Sequence, residues 1–276
     1  MTQKTILITG CSSGIGYASA VGLRDAGWRV FASCRKAEDC ARLQAEGFDS
    51  PRIDYADTAS IKAGLAEVLE QTDGTLDAVF NNGAFGTPGA VEDLPTDALR
   101  AIFEANFFGW HELTRAVIPV MRAQGHGRIV QCSSVLGFVT LRWRAAYTST
   151  KFALEALTDT LRLEMRDTPI HIILIEPGPI TSDIRVNSIP HFERWIDWEA
   201  SARAEQYRHG LLKRLYQDNG PDTFELPPEA VVKKLRHAVE SPRPRPRYFV
   251  TTPTYIMSLL RRLLPTRALD WVLARV

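Results

Sequence analysis

The chain has 276 residues, of which 45% are hydrophobic and 24% charged, and its formal net charge is +1. These values are ordinary for a soluble globular protein with a full core, and a net charge this close to zero gives no reason to expect a nucleic-acid partner. No linker, repeat or low-complexity tract divides the sequence, so we expect a single domain over 1–276.

The cysteines form no Cys-x-x-Cys pair and have no histidine at zinc-like spacing. We therefore predict no metal site and interpret Cys11, Cys34, Cys40 and Cys132 as reduced thiols of a cytoplasmic protein. The N-terminus runs directly into an apolar strand, which leaves no room for a signal peptide. No segment reaches the ~18 uninterrupted apolar residues that a membrane-spanning helix needs.

The first predicted strand leads into a glycine-rich turn. The β-branched run 4–9 ends at the sequence GCSSGIG, and a helical pattern follows over 17–26. Glycines let the backbone approach a pyrophosphate, and the N-terminus of a helix offers free N–H groups and a partial positive charge. Strand, glycine turn and helix in this order predict dinucleotide binding.

The second predicted strand, 29–34, ends in the basic pair Arg35 and Lys36. At this position an acidic residue suits the ribose 2′-OH of NAD, whereas an arginine suits the 2′-phosphate of NADP. An exposed basic helix start is the alternative interpretation. Because the acid is missing and Arg35 is present, the sequence favours NADP(H) over NAD(H).

Further apolar runs at 50–55, 77–82, 128–132, 170–176 and 248–251 alternate with helical patterns, the longest of them at 97–122. The continuous apolar character of 170–176 is typical of a parallel sheet that is covered on both faces. This alternation predicts an α/β fold with a doubly wound parallel sheet and helices on both faces. Asp54, at the end of the third predicted strand, could accept from an adenine amino group or cap a helix.

The stretch 131–151 carries the residues with chemical potential. Ser134 follows a predicted strand, and Tyr147-x-x-x-Lys151 places a phenol and an ammonium on one face of a helix. A free phenol titrates near pH 10, and a nearby cation lowers that pKa, so we expect Tyr147 to exchange a proton with an alcohol or ketone. A strand-end hydroxyl at Ser134 would hold the substrate oxygen. Taken alone, the spacing is also that of an ordinary solvated pair.

With TGCSSGIG at 9–16, NNGA at 81–84, Asn106, Ser134, Tyr147-x-x-x-Lys151 and Pro177-Gly178 in this order, the chain resembles the short-chain dehydrogenase/reductase family. The resemblance extends from Thr5 to about Val250. It implies a Rossmann-like domain with about seven parallel strands. Within the family, the sequence looks most like the retinol and 17β-hydroxysteroid dehydrogenase-like branch, which often takes apolar alcohols and ketones.

The resemblance also implies roles for individual residues. Tyr147 becomes the acid/base, Ser134 the residue that positions the carbonyl, Asn106 the holder of a relay water, and Lys151 a ligand of the nicotinamide ribose. The implied cofactor-binding residues are Gly10, Cys11, Ser12, Ser13, Gly14, Ile15, Gly16, Arg35, Asp54, Tyr55, Asn82, Gly83, Ala84, Tyr147, Lys151, Pro177, Gly178, Ile180, Thr181 and Ser182. Two departures are the order Gly83-Ala84 in place of Ala-Gly, and the choice between Thr181 and Ser182 as the hydroxyl at the nicotinamide amide.

We divide the domain into a cofactor-binding half at 1–130, a catalytic and nicotinamide segment at 131–182, a substrate lid at 184–226 and a C-terminal amphipathic extension at 252–276. The lid's aromatic residues could form an apolar pocket wall or pack the lid onto the body. Its arginines Arg185, Arg194 and Arg203 could meet an acidic substrate group, although solvated charge is the favoured interpretation. The extension, split at Pro265, could contact a membrane surface peripherally, cover the pocket or pair with another subunit.

The leading hypothesis is an NADP(H)-dependent oxidoreductase that interconverts a small hydrophobic alcohol and its ketone or aldehyde, in a cytoplasmic homo-oligomer without a nucleic-acid partner. The glycine spacing disfavours a nucleotide-sugar epimerase or dehydratase, whose loop usually reads Gly-x-x-Gly-x-x-Gly. A redox-sensing regulator that binds NADP(H) without turnover is the other alternative. Such proteins commonly lose the catalytic tyrosine or lysine, and here both are present.

Overall fold

A computed structural model describes residues 3–217 and 220–275. The residues outside this description are Met1 and Thr2 at the start of the chain, Asp218 and Asn219 of the predicted lid, and Val276 at the end of the predicted extension. The strands are β1 (Thr5–Thr9), β2 (Arg29–Ser33), β3 (Ala78–Asn81), β4 (Gly127–Cys132), β5 (Ile170–Glu176) and β6 (Arg247–Phe249).

The described strands form one parallel sheet in the order β2-β1-β3-β4-β5-β6. In register, Ile6 pairs with Val30 on one side and with Ala78 on the other, which places the reversal of strand order beside β1. Ligands of open α/β sheets bind at the carboxyl ends of the strands next to such a reversal. The ends of β1, β3, β4 and β5 therefore define the edge at which the functional residues are expected.

Helices cover both faces of the sheet, because its strand residues are apolar on both sides. Ile6, Leu7 and Ile8 of β1 are all fully buried. The helices of the body are α1 (Gly14–Asp25), α2 (Ala37–Ala45), α3 (Thr58–Glu70), α4 (Thr96–Phe103), α5 (Gly109–Gln124), α6 (Ala145–Glu164) and α10 (Glu229–Glu240). Helix α1 packs against α10, and α3 packs against α5. The predicted doubly wound fold is confirmed.

The predicted third strand at 50–55 is wrong, and the described sheet has six strands, not seven. Only isolated bridges join this segment to β2 and its end, Phe31 with Asp49 and Cys34 with Arg52. Pro51 lies between them and has no N–H to donate, so a regular ladder cannot form there. The Ser50 hydroxyl instead donates to the carbonyl of Ala32 at 2.6 Å.

The predicted long helix at 97–122 is helical throughout but changes its hydrogen-bonding pattern in the middle. A π-helix, Glu104–Phe108, separates α4 from α5. Such π turns inside α-helices occur frequently at functional sites. The buried Asn106 lies in this turn, so the residue that is a poor helix former in the sequence occupies the irregular part of the helix.

The lid, residues 184–226, contains α7 (Ile184–Trp195), the short helix α8 (Ala204–Gln206), a second π-helix (Tyr207–Leu211) and α9 (Leu212–Tyr216). The extension forms α11 (Thr252–Leu263) and α12 (Thr266–Leu273), which separate at Pro265 as the sequence predicts. Among the described residues, none of the helices is long and apolar enough to cross a membrane.

Candidate active site

The glycine turn between β1 and α1 packs so closely that a side chain cannot be added. Gly10 has φ +68, and a Cβ on it would lie 2.4 Å from the Cα of Gly83. A Cβ on Gly16 would lie 2.1 Å from the carbonyl oxygen of Gly10. The amide of Asn82 braces this turn by donating to the carbonyl of Thr9 at 3.1 Å. These contacts bring NNGA and the glycine motif into one backbone cradle.

The cradle opens onto the N-terminus of α1, which has the properties of a pyrophosphate site. Its first turn carries no acidic residue, and the N-cap Ser13 makes no side-chain capping bond, which leaves helix N–H groups for an anion. Ser12 is exposed and Ile15 half-buried, while the Cys11 thiol is buried and donates to the carbonyl of Ile8 at 3.2 Å. The residues present are therefore suited to a dinucleotide.

Arg35 lies on the rim of a shallow cleft of about 420 Å³ beyond the end of β2. The residues that line it are Arg35, Lys36, Ala37, Glu38, Arg52 and Asp54. Arg52, which the sequence reasoning missed, donates to the backbone carbonyl of Arg35 at 2.9 Å. Three cations against two carboxylates make this cleft a place for an anionic group. The bridge between Cys34 and Arg52 brings Arg52 there, and nothing in the local sequence shows it.

The two residues predicted to meet the adenine differ in orientation. The carboxylate of Asp54 accepts from the backbone N–H of Ala56 at 3.0 Å and borders the same cleft. The Tyr55 side chain is instead buried, where its hydroxyl donates to Asn81 at 2.5 Å and shares a hydrogen bond with Thr9 at 2.8 Å. Burial raises the pKa of Tyr55 well above its usual value. Only the backbone of Tyr55 remains for a cofactor contact.

Ser134, Tyr147 and Lys151 meet beyond the carboxyl end of β4. Ser134 is buried, and its hydroxyl accepts from the N–H of Leu136 at 3.1 Å. The Lys151 Nζ donates to the carbonyl of Cys132, the last residue of β4, at 2.8 Å. It lies 5.4 Å from the centroid of the Tyr147 ring. The predicted hydroxyl, phenol and ammonium therefore share one site, although their chemical roles remain predictions.

The protonation of this site differs from the expectation that a cation lowers the pKa of Tyr147. Burial and the neighbouring Cys132 raise that pKa. The hydrogen bond with Ser134 and the charge of Arg144 lower it, but by a smaller amount. Burial lowers the pKa of Lys151 to about 8, against the opposing effect of Cys132 and Glu155. Desolvation disfavours the charged form of either group. The folded chain by itself therefore holds Tyr147 as the neutral phenol.

Asn106 and Trp110, one helical turn apart, support the site from the α5 side. The Asn106 side chain accepts from the N–H of Phe85 at 3.1 Å and donates to its carbonyl at 2.8 Å, which fixes the chain after NNGA. Trp110 is buried, donates to the carbonyl of Gly83 at 2.9 Å, and lies with its ring centroid 4.1 Å from the Lys151 Nζ. The sequence analysis did not single out Trp110, whose helical spacing from Asn106 is the only signal for it.

The segment after β5 closes the other side of the cradle. A Cβ on Gly178 would meet the hydroxyl of Thr251 at 2.1 Å and that of Thr254 at 2.8 Å, so the start of the extension packs directly on Pro177-Gly178. Ile180 bridges to Leu226 at the end of the lid. The hydroxyl of Thr181 donates to Glu225 at 2.6 Å, whereas Ser182 lies 3.2 Å from the position of a Cβ on Gly14. Of the two candidate hydroxyls, Ser182 is therefore the one beside the glycine cradle.

The aromatic residues of the lid mostly pack the lid onto the body. Phe192 and Tyr207 are buried in a separate apolar cluster, with Trp143, Trp195 and Trp198 packed around it. The Tyr207 hydroxyl donates to Asp93 at 2.8 Å and accepts from the N–H of Ala90 at 2.7 Å. Tyr216 and Phe224 are exposed. The buried aromatic residues of the lid are thus used for packing onto the body.

A group of carboxyls that the sequence analysis missed lies beyond Lys151. Arg247 of β6 contacts Glu155 and Asp159 of α6 and Glu176 of β5, with Asp159 at 2.6 Å. Burial raises the pKa of Glu155 and raises that of Glu176 to about 8, despite the charge of Arg247. Glu176 is fully buried and Glu155 nearly so. Among the described residues, no cluster of His, Cys, Asp or Glu could hold a metal ion.

The chain is similar to known oxidoreductases over most of its length. A sequence model of the family described as short chain dehydrogenase matches residues 4–191. The chain is 41% identical over 271 residues to an uncharacterized oxidoreductase, YbbO, of Escherichia coli strain K12, covering 98% of this chain and 94% of that protein. It is 29% identical over 277 residues to human 17-beta-hydroxysteroid dehydrogenase type 1, covering 95% of this chain and 82% of that protein.

Among solved structures, a short-chain dehydrogenase from Streptomyces avermitilis has the same fold, with a TM-score of 0.76 and 27% identity over 100% of this chain and 95% of that one. The predicted resemblance, including that to the 17β-hydroxysteroid dehydrogenase-like branch, is confirmed. The glycine cradle, the Ser134, Tyr147 and Lys151 site and the family match over 4–191 lead to one conclusion. The chain belongs to the short-chain dehydrogenase/reductase family of NAD(P)-dependent oxidoreductases.

Proposed function

We propose that this protein is an NADP(H)-dependent oxidoreductase that interconverts a primary or secondary alcohol on an apolar carbon skeleton and its aldehyde or ketone. The observation that carries the proposal is the convergence of Ser134, Tyr147 and Lys151 next to the glycine cradle. A nicotinamide, when bound there, would supply or take the hydride. The chain's own residues have to hold the substrate oxygen and move its proton.

The protonation of the site supports specific roles for these residues. The neutral Tyr147 phenol is the form that can donate a proton to a carbonyl oxygen during reduction. Ser134, whose hydroxyl interacts with that phenol, would hold the same oxygen. Lys151, fixed by the Cys132 carbonyl, would stabilise the phenolate that proton donation leaves behind.

Replacing the phenol tests this mechanism. We expect Tyr147→Phe to lower kcat by roughly 10²–10⁴-fold, the usual contribution of a positioned acid or base, without changing NADPH binding. Turnover would be measured with a panel of apolar aldehydes, ketones, steroids and retinoids. Tyr216→Phe is the matched control, because that hydroxyl is bound to Glu193 on the exposed side of the lid. An unchanged kcat in Tyr147→Phe would contradict the mechanism.

The preference for NADP(H) is supported by the three cations around the cleft at Arg35. Hydrogen bonds to a charged group contribute about 1.5–3 kcal/mol, so Arg35→Ala should weaken NADPH binding by roughly 10–100-fold. NADH binding should stay the same, because NADH has no 2′-phosphate. Titration of nicotinamide fluorescence measures both. Equal affinities for NADPH and NADH in the unmodified protein would show that Arg35 is only a surface charge.

The remaining expectations stay proposals as well. We propose a cytoplasmic homo-oligomer divided into the segments 1–130, 131–182, 184–226 and 252–276.

We also propose that α11 contacts an anionic membrane surface peripherally. Tyr255, Ile256, Leu259 and Leu263 are exposed on one side of this helix, and its last turn carries Arg261 and Arg262. Flotation with phosphatidylserine or phosphatidylcholine vesicles tests the membrane contact, and that proposal is wrong if neither kind of vesicle retains the protein. Analytical ultracentrifugation tests whether the protein forms an oligomer.

A further inference from the structure

Three arginines and one aspartate meet where α6 and the lid begin. Arg144 is the N-cap of α6, Arg185 lies in the first turn of α7, and Arg214 belongs to α9. Asp222 binds Arg214 through both carboxylate oxygens, at 3.0 Å and 2.7 Å, and lies 3.5 Å from Arg185. Glu225 accepts from the N–H of Asp222 at 2.8 Å, and the charge of Arg144 acts on Asp222 as well. Three guanidinium groups therefore accompany two carboxylates, and the cluster has an excess of one positive charge.

Arg144 is the member of this cluster that has no partner. Within residues 3–217 and 220–275 its guanidinium makes no hydrogen bond or ion pair, although the residue is only partly exposed. Burial and the charges of Arg214 and Arg185 lower the pKa of Arg144 to about 10, and Asp222 and Tyr147 oppose that shift. An arginine with this pKa still carries its charge at neutral pH. A partly desolvated, unpaired cation is unfavourable unless an anion joins it.

The position of Arg144 connects it to the proposed chemistry. Arg144, the N-cap of α6, lies three residues before Tyr147 in the chain. Each affects the pKa of the other through its charge. Phe192 and Tyr207 of the lid are buried in their own cluster, whereas Ile184 and Val186 on either side of Arg185 are exposed. The charged groups that the lid contributes to this region include Arg185 and Arg214.

We propose that Arg144, assisted by Arg185, binds an anionic oxygen group of the substrate, such as a carboxylate. This inference rests on the proposed function and narrows its substrate to an oxo acid and the matching hydroxy acid. The planar guanidinium suits the two oxygens of a carboxylate. In the reductive direction, a bound NADPH would supply the hydride for the carbonyl carbon and leave as NADP⁺, Tyr147 would give its proton to the carbonyl oxygen and take a new one from solvent, and the carboxylate would be unchanged.

Matched substrates with and without the charge test the proposal. The substrates are para-formylbenzoate, succinate semialdehyde and their methyl esters, each with NADPH. Interactions with a charged group correspond to roughly 10–100-fold in affinity, so we expect the unmodified protein to prefer each acid over its ester by at least about tenfold in kcat/KM. Arg144→Met should remove that preference by lowering kcat/KM for the acids alone. Arg185→Met should act in the same direction with a smaller effect.

Arg142→Met is the matched control, because Arg142 is exposed, lies in the same segment and has no partner among the described residues. It should keep the preference for the acids. If the unmodified protein reduces acid and ester equally well, or if Arg144→Met lowers both equally, the proposal is wrong. Weaker NADPH binding in Arg144→Met with an unchanged preference would assign Arg144 to the cofactor and also overturn it.

A binding measurement separates this proposal from the proposed function. The NADP⁺-loaded protein would be titrated with benzoate by calorimetry, in the unmodified form and in Arg144→Met. If the unmodified protein binds benzoate, Arg144→Met does not, and no aldehyde is turned over, the anion site is supported and the oxidoreductase function is wrong. An absence of benzoate binding in the unmodified protein would overturn the anion site, whatever the activity.

Discussion

Two charged clusters lie at opposite ends of one face of helix α6, with Tyr147 and Lys151 between them. At the start of the helix, Arg144 belongs to a group of three arginines that is accompanied by two carboxylates, Asp222 and Glu225. Beyond Lys151, Glu155 and Asp159 belong with Glu176 to a group of three carboxyls. Two arginines accompany this group: Arg247, and Arg162 at Asp159. The first cluster therefore has more positive than negative groups, and the second has more carboxyls than cations.

The two clusters deal with their imbalance differently because the groups titrate differently. A surplus carboxyl can be neutralised by a proton, and burial raises the pKa of Glu176 to about 8. A surplus arginine cannot lose its proton at neutral pH. The buried carboxyls of the acidic cluster can therefore be balanced internally, whereas the basic cluster stays charged and can accept an anion from outside. A count of opposite charges alone would have missed this difference.

The largest expected effect comes from breaking the acidic cluster. Arg247→Met leaves Glu155 and Glu176 buried without their cation, and removing one partner of a buried pair usually costs about 3–5 kcal/mol. Unfolding in urea would measure the loss of stability. Arg236→Met is the control, because its ion pair with Glu240 is largely exposed and such pairs contribute about 0–1 kcal/mol. Equal losses in the two variants would show that the cluster is not a closed unit.

The next effect is a dependence of stability on pH that belongs to Glu176. Burial and Glu155 raise the pKa of Glu176 from 4.5 to about 8, so the folded state binds this proton more tightly than the unfolded state. That contribution is complete below pH 4.5 and is lost as the pH rises through about 8, with a slope of at most about 1.4 kcal/mol per pH unit. Glu176→Gln should therefore flatten the fall of Tm over this range.

Glu164→Gln is the control for this pH profile, because Glu164 is an exposed carboxylate on the same helix as Glu155. Its Tm should follow that of the unmodified protein across the range. If Glu176→Gln also follows the unmodified protein, Glu176 is ionised throughout and its neutralisation by a proton is not what balances the acidic cluster.

The smallest effect is expected from Asp222→Asn in the basic cluster. Removing the internal carboxylate frees Arg185 and Arg214, so the KM for para-formylbenzoate should fall by a few-fold while the KM for its ester stays constant. The loss of stability should be below about 1 kcal/mol, because both ion pairs are partly exposed. A higher KM for the acid would mean that Asp222 holds the arginines in place and does not compete with the substrate.

The sequence predicted the parts of this molecule that depend on local pattern. The glycine turn, the strands other than 50–55 and the break at Pro265 follow from periodicity and from backbone restrictions within a few residues. The third strand at 50–55 failed because Pro51 has no N–H for a ladder, which outweighs the strand pattern of the residues around it. The expected shift of the Tyr147 pKa failed because it considered the neighbouring charge and omitted desolvation, which the sequence does not display.

Contacts between distant parts of the chain were beyond the sequence. Arg52 reaches Arg35 through a bridge to the end of β2, and Arg247 reaches Glu155 across 92 positions. Arg144 could be seen in the sequence, but its lack of a partner could not, because that depends on where Arg185, Arg214 and Asp222 lie. The candidate catalytic residues were identifiable from the order of the family's motifs along the chain, whereas the charges that surround them required the fold.

The four buried cysteines give the protein an internal reporter of its own unfolding. Cys11, Cys34, Cys40 and Cys132 are each at most 6% exposed, and burial raises the pKa of Cys34 to about 12 and that of Cys132 to about 11. Because the thiolate is the reactive form, a thiol-specific dye should not modify the native protein. Each opening of the structure exposes these thiols to the dye, so the labelling rate measures how often the native state opens, with no engineered probe.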